Sequence, residues 1–217
     1  NDVNVVAYVN DSRNDERRWG DYDGNSFNDI EVVMTENKSE ETGAGLEISS
    51  DNDGPLSWIV GMNYFDQEVN YDFDLRIGAI GGGNVPASTG WGTYNLDTYG
   101  IFASFDYEMS DKWTLTVGGR YTNEEKDVHW RASQYPEYAQ NERLTLAAAL
   151  LPNKAAEEWS SFDPKVTLTY NLENNGIIYA TYATGFKSGG YNAPTRQGGE
   201  ALEPEEIMMI ELGYKAD

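Results

Sequence analysis

Cysteine is absent from the 217-residue chain, and histidine occurs once, as His129. Without thiols there is no disulfide framework, zinc ribbon, thiol nucleophile or iron–sulfur cluster. One imidazole cannot build a multi-His metal site, which leaves only Asp and Glu to bind a hard cation. Basic residues are scarce as well: 15 Lys and Arg stand against 37 Asp and Glu, a formal charge of −22. Phosphate binding needs clustered cations, so nucleic acid is not an expected partner. Long hydrophobic runs are also missing. Nothing approaches the ~18 apolar residues of a membrane-spanning helix, and the polar first residues, with no Met at the start, carry no signal-peptide pattern.

Aromatics, by contrast, are plentiful: 15 Tyr, 6 Trp and 7 Phe accompany 22 Gly at a mean hydropathy of −0.63. Disorder would explain the polarity but not the rings. Short alternating strands joined by polar loops explain both. Alternation is indeed the main signal. Trp113, Leu115, Val117, Gly119 and Tyr121 fall on one face, and Thr114, Thr116, Gly118 and Arg120 on the other. Val166, Leu168, Tyr170 and Leu172 oppose Lys165, Thr167, Thr169 and Asn171, and Tyr99, Ile101, Ala103, Phe105 and Tyr107 oppose Gly100, Ser104 and Asp106. Met208, Ile210, Leu212 and Tyr214 repeat the pattern near the end. A helix needs apolar residues every third or fourth position, and these windows fail that test.

The pattern predicts eight strands, near 2–10, 42–50, 56–74, 97–109, 112–127, 159–172, 176–187 and 206–217. Tight turns rich in Asn, Asp and Gly at 51–54, 110–112 and 173–176 alternate with long connections at 11–41, 75–96, 128–158 and 188–205. Loops that long are uncommon in compact domains. Strict alternation of short turns and long loops is the plan of an antiparallel up-and-down outer-membrane β-barrel. The predicted strand 56–74 agrees: Trp58, Val60, Met62 and Tyr64 share a face that becomes Asp66, Glu68, Asn70, Asp72 and Asp74. A strand leaving lipid for water changes character in this way. Trp58, Trp113 and Trp159, with Tyr64, Tyr121 and Tyr182, occupy the places of interfacial girdles.

The stretch from about Asp97 to Asp217 resembles the barrel of proteobacterial TonB-dependent outer-membrane receptors. The residues that carry the resemblance are Tyr99 to Phe105, Leu115 to Thr122, Phe162 to Val166, Ile178 to Asn192, Leu202 to Glu206 and Glu211 to Lys215. Gly54 to Phe65 looks like an earlier hairpin of the same barrel, and residues 1–50 match loosely. The resemblance implies an all-β transmembrane barrel of about 22 strands, of which 1–217 would be a partial domain lacking the plug and the last strands. It also implies a bacterial outer-membrane location and active uptake of a scarce ligand: a siderophore, cobalamin, haem or glycan. The implied partners are the TonB energy-transducing complex, acting through the plug, a small-molecule or oligosaccharide ligand, and outer-membrane lipid. No cofactor and no enzymatic activity are implied. The alternatives are a closed eight-stranded barrel serving as an adhesin or structural protein, an outer-membrane hydrolase, and a soluble sugar-binding sandwich.

The chemistry-bearing residues fit binding better than catalysis. No Gly-x-Ser-x-Gly elbow accompanies His129, so no catalytic residue is assigned. Asp66 to Asp74 could offer oxygen ligands to calcium but reads as a solvated strand extension, and no metal site is assigned. The glycines of 78–92 lack the Lys-Ser/Thr of a phosphate cradle and predict a flexible loop with Trp91 at its tip. Loop 128–158 carries Trp130, Tyr135 and Tyr138 ahead of a short predicted helix over 144–151, and loop 188–205 carries Tyr191, Asn192 and Arg196. Aromatic rings on long loops suit stacking on a sugar or a flat chelate, so the ligand-contact candidates are Trp91, Trp130, Tyr135, Tyr138, Tyr191 and Arg196. Arg120 is expected on the inner face, paired with barrel carboxylates. Loop 11–41 holds ten acids against four bases, net −6, which disfavours an anionic chelate drawn in by charge.

Overall fold

The computed structural model of the chain describes residues 2–21, 30–51, 54–77, 85–134, 154–173, 176–191 and 201–216. Its elements are β1 (Asp2–Asp21), β2 (Ile30–Asp51), β3 (Leu56–Ile77), β4 (Val85–Ser110), β5 (Trp113–Gln134), β6 (Lys154–Asn171), β7 (Ile177–Lys187), β8 (Gly190–Tyr191), β9 (Ala201–Leu202) and β10 (Glu205–Lys215). Eight of them form one antiparallel sheet in the order β1-β2-β3-β4-β5-β6-β7-β10, while β8 and β9 pair separately. Among the described residues β1 and β10 are unpaired edges, so these strands do not close on themselves as a small eight-stranded barrel would.

The tight turns set the register. At the β3–β4 end Glu108 N–H donates to Pro55 O at 2.8 Å, and at the β6–β7 end Leu172 N–H donates to Gly176 O at 2.8 Å. Asn171 N–H reaches across to Lys112 O at 2.8 Å, and Lys112 Nζ meets Glu173 Oε1 at 3.0 Å, so two neighbouring turns are tied together. From these ends the ladder runs without a shift through β5–β6, β6–β7 and β7–β10.

Because opposite residues share a face, the register sorts the side chains into two sets. One row runs Val5, Ile48, Val60, Ala103, Gly119, Pro164, and another Phe105, Val117, Val166, Tyr182, Ile210. These side chains form a continuous apolar face with little to cover it: Ile210 is 72% exposed and Leu212 81%. Trp113 and Tyr170 meet at a tilt of 52° at its turn end, with ring centroids 4.7 Å apart, and Tyr99 and Tyr121 lie 6.4 Å apart toward its other end. The reverse face is polar. Thr116, Thr167, Thr181 and Glu211 lie in one row, with Thr167 and Thr181 hydroxyls 2.9 Å apart. Arg120 donates from Nη2 to Asn63 Oδ1 at 2.8 Å and from Nε to Thr122 Oγ1 at 3.0 Å, passing over Gly100. An amide and a hydroxyl therefore hold Arg120 where carboxylates were expected.

Just past the tyrosines the apolar face turns acidic. Asp11, Thr42, Asp66, Asp97, Glu125 and Glu158 fall in one register row across β1 to β6. Tyr64 Oη donates to Asp97 Oδ1 at 2.6 Å, and Asn123 Nδ2 to Glu158 Oε1 at 2.6 Å. Carboxylates of this density cannot sit in hydrocarbon, so the row marks where the apolar band ends. Burial, then the neighbouring Asp97 and Glu68 carboxylates, hold Asp66 above the usual carboxylate range. Among the described residues no three acids converge as metal ligands do.

The described parts of the segments expected to be long loops are largely strand. Residues 11–21 pair with 31–42, residues 66–77 with 85–97, and residues 88–98 with 124–134. The ladder therefore continues well past the ~10 residues needed to cross a bilayer. The sequence pattern missed this for a physical reason: with water on both faces, nothing enforces the two-residue alternation that reveals a half-buried strand. Cross-strand charge helps instead, with Arg13 opposite Glu40 and Asp15 opposite Lys38. The expected helix at 144–151 lies outside the described residues.

Val117 sits mid-row on the apolar face. Val117→Arg in the full-length protein should cost about 2–4 kcal/mol of bilayer-referenced stability, and Ser161→Arg on the polar face clearly less, since it stays out of lipid. Urea titration of the refolded protein in vesicles would measure both, and equal costs would contradict the assignment of faces.

Candidate functional site

The polar face beyond the apolar band holds the densest set of interactions between elements distant in sequence. After Lys187, which still pairs with Glu205, the chain leaves the main ladder at Ser188. It forms the β8–β9 strap, with Gly190 opposite Leu202 and Tyr191 opposite Ala201. The strap lies against β5 and β6. Lys126 Nζ donates to Ser188 Oγ and to Gly189 O, each at 2.6 Å, and stands 3.5 Å from Glu124 Oε2. Ser188 Oγ donates in turn to Glu124 Oε2. The ammonium also lies 5.5 Å from the centroid of the Trp159 ring, within cation–π range. Tyr191 meets Trp159 edge-on, with centroids 6.2 Å apart at 61°.

Gly189 is required here by close approach. A Cβ at that position would come within 2.6 Å of the Trp159 ring and collide with Leu202 O. The Tyr191 hydroxyl is buried without a hydrogen-bond partner, as is that of Tyr71. Burial, then the Glu157 and Asp127 charges, push the Tyr191 phenol above its ordinary value. Burial does the same for Tyr71, and for Tyr94 together with Glu124. Val128, 1% exposed, lies between Tyr94 and Ala155 in the ladder. The result is a wall of aromatic faces and carboxylates in which the Lys126 charge is already engaged.

The sequence-derived candidates scatter over this map. Tyr191 falls within the wall. Trp91 does not: it lies in β4 opposite Asp72 and Arg131, an even number of residues from Tyr99 and hence on the acidic continuation of the apolar face. Trp130 stands opposite Gly92, in line with Tyr71. Tyr135, Tyr138 and Arg196 lie outside the described residues. His129 is an exposed strand residue opposite Thr93. Trp159, assigned from sequence to a girdle, belongs to the polar face through its pairing with Glu124. Lys126, Glu124 and Ser188 were not singled out. The signal available for them was the Lys-Ser-Gly-Gly-Tyr run at 187–191, where paired glycines beside an aromatic mark close backbone approach.

Two furrows, of about 650 and 580 Å³, lie on the apolar face among Leu46, Met62, Tyr64, Ile101, Tyr121 and Phe162. Their lining is mostly apolar, and they are gaps between side-chain ridges on the surface that would meet lipid.

Comparison with known proteins agrees with this architecture. The sequence model of a family described as "TonB dependent receptor-like, beta-barrel" matches residues 1–217. Among solved structures, the ferric yersiniabactin uptake receptor FyuA from Yersinia pestis superposes with a TM-score of 0.72 at 14% identity, covering 99% of this chain and 30% of that one. The chain thus spans under a third of the length of that receptor.

Since the Tyr191 hydroxyl gives up hydration without gaining a bond, Tyr191→Phe should be near neutral for stability, whereas Trp159→Ala should loosen the strap. The raised phenol also sets a sign. Stability held by neutral Tyr191 is complete below the unfolded phenol pKa, about 10, and declines as pH rises through the higher folded value. Denaturant midpoints from pH 8 to 11 should show a steeper alkaline loss in the native protein than in Tyr191→Phe.

Proposed function

The chain belongs to the TonB-dependent receptor-like β-barrel family, and on that premise we propose that it forms part of the wall of an outer-membrane receptor that imports a scarce ligand with TonB-supplied energy. The observation that carries this reading is the division of the long strands into an apolar face, which stops at a row of acids, and a polar face, which runs on past it. The apolar face meets lipid, and the polar face lines the lumen. Above the acids, the extended hairpins raise aromatic and polar side chains toward the medium, where ligand arrives. TonB would act through a plug, as the family plan implies. The work is binding and release, not bond chemistry.

The wall around Trp159 and Tyr191 favours an uncharged or cationic ligand bearing rings. Among the described residues the cation beside these rings, Lys126, is bonded internally and paired with Glu124, and Glu157 and Asp127 add negative charge near Tyr191. Desolvating an anionic ligand against such carboxylates is costly, so a neutral ferric chelate or a glycan fits better than a polyanionic chelate. The uptake function named for FyuA supports a ferric chelate as the first class to try.

The test is uptake by cells carrying the full-length gene as their sole receptor of this family. They are offered radioactive iron on a neutral hydroxamate or an anionic tris-catecholate, and also haem, cobalamin and a labelled oligosaccharide. Uptake of an uncharged probe that vanishes without TonB is the expected result. Gene-dependent uptake of the catecholate alone would overturn the charge argument, and no gene-dependent uptake of any probe would sink the transport reading.

A further inference from the structure

We propose that Lys126 is the positioning residue of the lumenal wall: its ammonium pins the Ser188–Tyr191 strap to β5 and β6 and so sets Tyr191 against Trp159. Among the described residues the strap's own ladder is two residues on each side, in register with the Lys187–Glu205 pair that ends β7 and β10, and so short a ladder is weak by itself. What joins it to β5 and β6 is a small polar hub. The Lys126 side chain is 12% exposed and Glu124 23%. The ammonium donates to two oxygens, Ser188 Oγ and Gly189 O, with the Glu124 carboxylate 3.5 Å away as its counter-charge. Ser188 accepts from Lys126 and donates to Glu124, so its hydroxyl is satisfied in both senses and fixed in direction. The Trp159 ring lies on the remaining side of the ammonium.

The geometry assigns distinct parts to the four contributors. Glu124 and Lys126 are alternate residues of β5 on one face, so the strand holds both charges at a fixed spacing. Trp159, directly opposite Glu124, is the floor on which Gly189 and Tyr191 rest. Gly189 admits the strap by having no side chain, and Lys126 retains it. Arginine would keep the charge, but its longer, planar fork spreads its donors over three nitrogens instead of aiming them from one point, so Lys126→Arg should restore only part of the function. That this wall faces ligand rests on the uptake reading above, but the pinning itself does not.

Hydrogen exchange on the full-length receptor in detergent, read by mass spectrometry, tests the pinning without any ligand. In Lys126→Met, exchange in 188–191 and 201–204 should rise on the order of tenfold, while β3 and β4 stay unchanged and the thermal midpoint barely moves. Lys126→Arg should fall between native and Lys126→Met. Gly189→Ala provides the positive control, expelling the strap by collision with the hub intact. Native-like exchange in Lys126→Met, with raised exchange in Gly189→Ala, would show that packing rather than Lys126 holds the strap. Equal loosening of β5 and β6 in Lys126→Met would make the lysine a general structural residue. Either result overturns the proposal and leaves the uptake reading standing, whereas a failed uptake panel leaves the pinning untouched.

Discussion

Everything in this structure depends on the backbone ladder pairing its own polar groups. A sheet that meets hydrocarbon has no water to satisfy an open N–H or C=O, and each one left unpaired costs several kcal/mol. The pairing must therefore be continuous, and its register decides which side chains face lipid. A slip of one residue between β4 and β5 would carry Arg120 and Thr122 to the apolar face and Tyr121 to the polar one. The tied turns at Lys112, Asn171 and Glu173 matter for this reason: they fix the count from which three strands are measured.

The same ladder explains why the strands outrun the membrane. Once formed, a hairpin loses backbone pairing at its end, so continuing costs little where residues tolerate an extended conformation. Above the acid row the restraint on side-chain chemistry relaxes, while pairing persists. Opposed charges and polar bonds replace lipid as the stabilising environment, each worth little alone. Glu124, Lys126 and Trp159 occupy this extension. A strand held by pairing to its neighbours positions a side chain better than a free loop does, so the groups carried here gain order from a scaffold that begins inside the bilayer.

The fold was legible where the membrane writes it. The faces of 99–107, 113–121 and 166–172 could be read by eye because lipid on one side and the lumen on the other force alternation. The extensions at 11–21 and 128–134 could not, since water on both sides removes the signal. That loss of strand assignment caused the misreading of Trp91. Taken as a loop tip, it had no face; as part of β4 it inherits its parity from Tyr99. Trp159 failed differently. A tryptophan near a strand end is ordinarily interfacial, and only its register with Glu124 places it on the polar side. Lys126 showed only indirectly, through the Lys-Ser-Gly-Gly-Tyr run, because the strap atoms it binds lie 62 and 63 residues away in the chain.

The polar face also shows how a wall can carry large side chains without filling the space it encloses. Tyr8 lies over Gly45, Phe102 over Gly61 and Tyr179 over Gly213, each a ring against the glycine directly opposite it in the ladder. A Cβ at Gly61 would stand 2.5 Å from the Phe102 ring, so any larger residue would tilt the ring away from the sheet. Laid flat, the rings cover backbone that would otherwise be exposed at the glycines and keep the inner surface low. Gly189 and Trp159 repeat the device above the membrane, with the strap taking the place of the neighbouring strand. The recurrence gives the glycines a common role: they set the height of the inner surface, and at the strap that height determines how far Tyr191 projects.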